Sequence, residues 1–177
     1  MPISQNGFPA SEDANSIGIT TVTLASGKTF RAASSVAPNL QSIAEWWASN
    51  IEPITQIGGY NFREIRGYEG SGKYSNHASG TAIDINWDKH PLGARGTVTP
   101  DQAEAIRKKA AELGLRWGGD YRSRADEMHF EVNVPPSEVP AIYAGYTTQQ
   151  LAGMTAATVC VGALIGVIAY KYKQGAT

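Results

Sequence analysis

The residues best equipped for chemistry are His77 and Asp84, within SNHASGTAIDIN, and His129, within DEMHFEV further along the chain. Two imidazoles and a carboxylate are three ligands of the kind zinc takes when its fourth position stays open for water. A metal held in that way brings the pKa of its water toward about 7, so the chemistry expected is hydrolysis with one zinc ion. The third histidine, His90, sits in the polar stretch DKHP without comparable framing and is left outside the set. Cys160 is the single cysteine, so neither an internal disulfide nor a cysteine zinc finger can form. Any metal must sit on histidine and carboxylate.

The elements that would position these ligands can be read from hydrophobic periodicity. Along Thr81 to Asn86, Ile83 and Ile85 point to one face and Ala82, Asp84 and Asn86 to the other, which predicts a strand carrying Asp84 away from the core. Met128 to Val134 repeats the pattern, with Met128, Phe130 and Val132 on the apolar face and His129 and Glu131 opposite, and Pro135-Pro136 ending it. The turn Ala78-Ser79-Gly80 can fold His77 back beside Asp84. Two helices frame the strands. From Val36, Leu40, Ile43, Trp47 and Ile51 recur at helical spacing with Pro38 in the first turn. Thr99 to Leu113 carries a capping box at Thr99 and Gln102, Pro100 at the first position and an apolar stripe of Ala103, Ile106, Ala110 and Leu113. A hairpin is expected from Ile19 to Arg31 around Ser26-Gly27-Lys28, a short strand at Ile54 to Ile57, a loop from Tyr60 to Tyr74 and a strand at Leu115 to Trp117.

The block GGYNFR, SNHASGTAIDIN, LGLRWGGDYR and DEMHFEV resembles the zinc peptidases of bacterial cell-wall peptides, the VanY-type D-alanyl-D-alanine carboxypeptidases and the phage L-alanyl-D-glutamate endopeptidases, over about Tyr60 to Val132. The resemblance implies a small α+β domain with helices packed on an antiparallel sheet, a fold shared with zinc-holding hedgehog-like signalling domains. It implies His77, Asp84 and His129 as zinc ligands and Asp126 as general base, with Glu127 ranked second. Arg63 matches an upstream arginine that would face the oxyanion, a role Arg66 could exchange with it. Ser75 matches a substrate-contacting position. Strand geometry alone puts Asp126 on the opposite face from His129, so a turn before the strand is needed to bring it to the water. The signature Trp117-Gly118-Gly119-Asp120 is read as structural, with Asp120 fixing the glycine turn.

Lysine and arginine number 15 against 16 acidic residues, which leaves no basic field for nucleic acid. The first nine residues contain neither a basic nor an apolar signal region, so no secretory signal is expected. Leu151 to Tyr170 is uncharged throughout, and as a helix it would span about 30 Å, a bilayer core. Lys171, Lys173, Tyr170 and Tyr172 fit an interfacial anchor, and Gly162 and Gly166 would allow helix pairing and so a homo-oligomer. The expected organisation is an extension at 1–35, a zinc peptidase domain at 36–135, a linker at 136–150 and an apolar helix at 151–173, in contact with a membrane or buried in a virion assembly.

The expected function is zinc-dependent cleavage of peptidoglycan stem peptides by a lysin carried on a phage tail, acting at the host wall and membrane. A phage endolysin, a membrane-anchored bacterial carboxypeptidase and a virion component that holds zinc without catalysis are the alternatives.

Overall fold

The computed structural model describes residues 1–134 and 136. The expected linker and the apolar run 151–170 lie almost wholly outside them. Among the described residues no helix is long and apolar enough to cross a membrane.

The fold is α+β. A hairpin of β1 (Ile19–Thr23) and β2 (Thr29–Ala33) pairs antiparallel in register from Ile19 opposite Ala33 to Thr23 opposite Thr29. Its turn needs the left-handed φ of +82° at Gly27, a conformation costly to any residue with a Cβ. Helix α1 (Ala37–Asn50) follows, then β3 (Ile57–Gly58), β4 (Ala82–Ile85), helix α2 (Pro100–Glu112), β5 (Leu115–Trp117) and β6 (His129–Val132). The last four strands form one antiparallel sheet in the order β3-β4-β6-β5. The strand expected at Ile54 to Ile57 is shorter and later, because the amides of Thr55 and Gln56 are taken by the Asn86 side chain instead of a neighbouring strand.

Both helices begin as their sequences require. Thr99 accepts from the Gln102 amide and Gln102 reciprocates to the Thr99 amide, closing the capping box, while Gly114 at φ +67° ends α2. Helix α1 lacks a side-chain cap and is tied at its start by Asn39, whose amide donates to the Leu113 carbonyl at 2.9 Å. The core lies between the helices and the sheet. Leu40, Ile43 and Trp47 of α1 and Ile106 of α2 meet Ile83, Ile85 and Phe130, with Trp47 edge-on to Phe130 at a centroid distance of 5.7 Å. Residues 1–35, set apart in the sequence as an extension, contribute Phe8, Val22, Leu24 and Phe30 to this same cluster.

The hairpin also braces the segments that lead into the ligands. The β2 backbone passes so close to Gly59 that a Cβ there would lie 2.1 Å from the Arg31 carbonyl oxygen, and the Tyr60 amide donates to that oxygen. Gly80 is clamped likewise. Its φ is +68°, its carbonyl accepts from the Ala33 amide, and a Cβ would meet Ile19 Cδ1 at 2.4 Å and Ala33 N at 2.6 Å. Gly80→Ala is therefore expected to destabilise the protein by at least about 2 kcal/mol, roughly 4–8 °C in Tm, as left-handed strain and backbone overlap combine. Thermal unfolding of the variant checks this; a Tm within a degree of the parent would contradict the packing described.

Candidate metal centre

Strand register brings two of the three expected ligands together. Asp84 on β4 and His129 on β6 are direct cross-strand partners, and side chains so placed have Cβ atoms about 5 Å apart. His77 arrives from the 3-10 turn Asn76–Ser79, which Ser75 starts by accepting from the His77 amide and Gly80 stops. The ligand atoms of His77, Asp84 and His129 all lie within 4.8 Å of one another and form a group that could hold a metal ion. His77 Nε2 is 3.2 Å from Asp84 Oδ2, His129 Nδ1 is 2.8 Å from Asp84 Oδ1, and the two imidazole nitrogens are 3.3 Å apart.

The outer nitrogen of each ring has its own partner. His77 Nδ1 is 2.8 Å from the Gly59 carbonyl, which can only accept, so Nδ1 carries the proton and Nε2 is presented to the metal. His129 Nε2 is 3.2 Å from Glu131 Oε2, which leaves Nδ1 as the second ligand atom. Glu131 is buried, accepts from Asn76 Nδ2 at 2.6 Å and faces the Tyr121 phenol. Burial acts against its charge, but the His129 hydrogen bond and charge prevail and hold its pKa at about 2. Burial likewise opposes charge on His129, yet the Asp84 and Glu131 hydrogen bonds push its pKa up to about 10. Burial raises and the neighbouring histidines lower the Asp84 pKa, with a net shift well below the usual carboxylate range. The metal-free site thus keeps a proton on His129 Nδ1 at neutral pH, and a metal must displace it. Metal uptake at pH 7 is expected to release about one proton, measurable by titration calorimetry in buffers of different ionisation enthalpy; uptake without proton release would contradict this protonation state.

Asp126 stands beside the triad through the turn that the sequence required. Its amide donates to the Gly118 carbonyl at 2.9 Å and its carbonyl accepts from the His129 amide at 3.0 Å. A Cβ on Gly118 would fall 3.0 Å from Asp126 Cβ and 3.1 Å from His129 Cβ, so this glycine permits the approach. Among the described residues Asp126 Oδ1 is buried without a hydrogen-bond partner. Burial, foremost, raises the Asp126 pKa to about 6, with the Asp84 charge adding to it and the histidine charges opposing. Buried polar atoms are almost always paired, and a lone carboxylate oxygen next to a ligand triad has the placement of a group meant for a water or substrate proton.

Glu127, the competing base, is fully committed elsewhere. It accepts from the amides of Gly96, Thr97 and Val98 and from the Thr97 hydroxyl, anchoring the loop before α2. Asn86 also departs from its expected place on the Asp84 face. β4 ends at Ile85, and Asn86 turns to a φ of +53° and is fully buried on Thr55, Gln56, Glu52 and Pro53. Asp120 does not fix its glycine turn; it pairs with Arg107 of α2 at 2.7 Å. The Trp117 ring does hold the signature, donating to the Glu127 carbonyl at 2.8 Å. His90 lies outside the triad, between Thr97 and Glu52.

The triad and Asp126 open into a cleft of about 1150 Å³ that also contains Arg63, Arg66 and Ser75. Arg63 is half-buried; burial lowers its pKa and the Arg66 charge adds to this, while the charges of Asp84 and Asp126 oppose both. Arg66 is exposed on the rim, which Lys73, Arg122 and Arg124 share. Sequence reasoning missed this basic rim and the partners of the ligand rings. The i, i+2 spacing of His129 and Glu131 on one strand face signalled one of those partners; the Gly59 carbonyl had no local signal.

An α+β domain with a His/Asp/His group that could hold a metal ion is thus defined. A family model described as D-alanyl-D-alanine carboxypeptidase matches residues 69–132, a span that holds the triad and Asp126, and over this segment the chain is similar to that family. No curated protein and no solved structure matches the chain.

Proposed function

We propose that this protein is a zinc peptidase that cleaves peptidoglycan stem peptides, with His77, Asp84 and His129 as the zinc ligands. The observation that carries the proposal is the unpartnered buried oxygen of Asp126 beside a triad whose ring nitrogens are already oriented. The donor set fits zinc: two neutral-capable imidazoles, a carboxylate and no thiol. Zinc held there would supply a Lewis acid and a water acidic enough to lose its proton near neutral pH.

The chain's residues perform the rest. Asp126 takes the proton of the attacking water and returns it to the nitrogen of the departing amine as the C–N bond breaks. Arg63 faces the charges of Asp84 and Asp126 and offers its guanidinium to the oxyanion formed at the scissile carbonyl. Arg66 and Ser75 bind the substrate, and the basic rim suits a peptide rich in carboxylates. Ser75 Oγ accepts from the His77 amide and retains its own proton for a ligand.

Delivery from a phage particle, with the apolar run 151–170 entering the membrane or the assembly, is the location that best combines a wall-cutting domain with that run. Mass spectrometry of digested peptidoglycan tests the function: new termini at D-Ala-D-Ala or L-Ala-D-Glu support it and assign the bond. Intact stem peptides with zinc-loaded protein would favour a zinc site without catalysis. Detection of the protein in purified particles supports the delivery route, and its confinement to lysing cells would redirect it to an endolysin.

A further inference from the structure

The N-terminal turn at residues 4–7 lies outside the matched segment, yet hydrogen bonds connect it to a metal ligand. The Asn6 side-chain amide donates to Thr81 Oγ1 at 2.9 Å and to the Val132 carbonyl at 3.1 Å, and Ser4 Oγ donates to Ser79 Oγ at 2.8 Å. So pinned, the turn aims the Asn6 backbone N–H at Asn76 Oδ1, 3.1 Å away. That contact decides which end of the Asn76 amide faces inward: its oxygen is taken by Asn6, so its NH₂ meets Glu131 Oε2 at 2.6 Å. The same Glu131 oxygen receives the Nε2–H of His129. Arg116 approaches the other Glu131 oxygen at 3.8 Å.

We propose that Glu131 is a positioning residue for the metal, and that Asn76 and the N-terminal turn around Asn6 form the line that holds it, so that His129 presents Nδ1. The inference rests on the reading of His77, Asp84 and His129 as ligands, and extends it to residues 4–6, for which the sequence suggested no chemistry. Partners that fix the ring orientation and basicity of a ligand histidine typically contribute 10–100-fold in metal affinity. Every member of this line except Asn6 is buried, where a missing partner is not replaced by water.

The test is zinc affinity of the full chain, by competition with a chromophoric chelator and without substrate, with metal-free thermal unfolding as the control for folding. Glu131→Ala is expected to weaken zinc roughly 10–100-fold, and Glu131→Gln, which keeps one acceptor oxygen, to recover part of the loss. Asn76→Ala and Asn6→Ala should each cost about 10-fold or less alone, and much less again when Glu131 is already alanine, because they act through it. Unchanged affinity in Glu131→Ala overturns the proposal, as does an Asn6→Ala loss equally large in both backgrounds. A parent that binds zinc but cleaves nothing would remove the peptidase reading and leave this inference standing; a parent that binds no zinc would overturn both.

Discussion

Asp126→Ala is expected to retain stoichiometric zinc and lose about 10²–10⁴-fold in cell-wall hydrolysis, the range general acid–base catalysis contributes. Asp126 supplies none of the clustered ligand atoms, so its removal leaves the triad intact. The same substitution should leave the metal-free protein at pH 7 as stable as the parent or more so. The sign follows from the pKa, raised to about 6 in the fold by burial. A raised carboxylate pKa means that the fold resists the charge, so above about pH 6 the ionised Asp126 weighs against folding, and the penalty fades as pH falls toward the unfolded value. Alanine removes it. Lost activity with equal or higher Tm marks a group held for chemistry at the expense of stability. In the parent the base must be ionised, so kcat/KM should fall with acid below about pH 6, and a cation in the triad moves that inflection lower. Equal lysis by the Asp126 variant and the parent would rule out the mechanism proposed.

His77→Ala is expected to lose both zinc and hydrolysis, with a larger fall in affinity than the roughly 10–100-fold attached to a ring's outer partner. The substitution removes one of three ligand atoms and leaves the Gly59 carbonyl without its donor in a part-buried site. It also removes a side chain that sits 3.2 Å from Asp84 Oδ2. Zinc content by atomic spectroscopy and hydrolysis of purified wall separate the two variants: Asp126→Ala keeps metal, His77→Ala does not. A His77 variant that retains full zinc would mean that the metal sits elsewhere.

Much of this site was legible because it depends on local pattern. Alternation along 81–86 and 128–132 placed Asp84 and His129 on the face away from Ile83, Ile85 and Phe130, and β4 and β6 carry them there. The Thr99–Gln102 box and Pro100 marked the start of α2 to the residue. Alternation misled at Asn86, where a positive φ and capture of the Thr55 and Gln56 amides end the strand. Adjacent carboxylates at 126 and 127 could not be told apart by periodicity, since both precede the strand. Their surroundings differ in the fold: loop 96–98 folds onto Glu127 and supplies its hydrogen bonds, whereas Asp126 Oδ1 has no partner among the described residues.

The sequence by itself determined the donor types, their absence of thiolate, the strand faces that carry them and the helices that back the sheet, all set by side-chain chemistry and by repeats of two and 3.6 residues. Only the tertiary structure decided that Asp84 stands opposite His129, that Gly59 and Glu131 assign the protons of the two rings, and that Asn6 reaches the site from the other end of the domain. Those are matters of register and of contacts between residues distant in sequence, and hydrogen-bond partners at that range are chosen by how the chain packs.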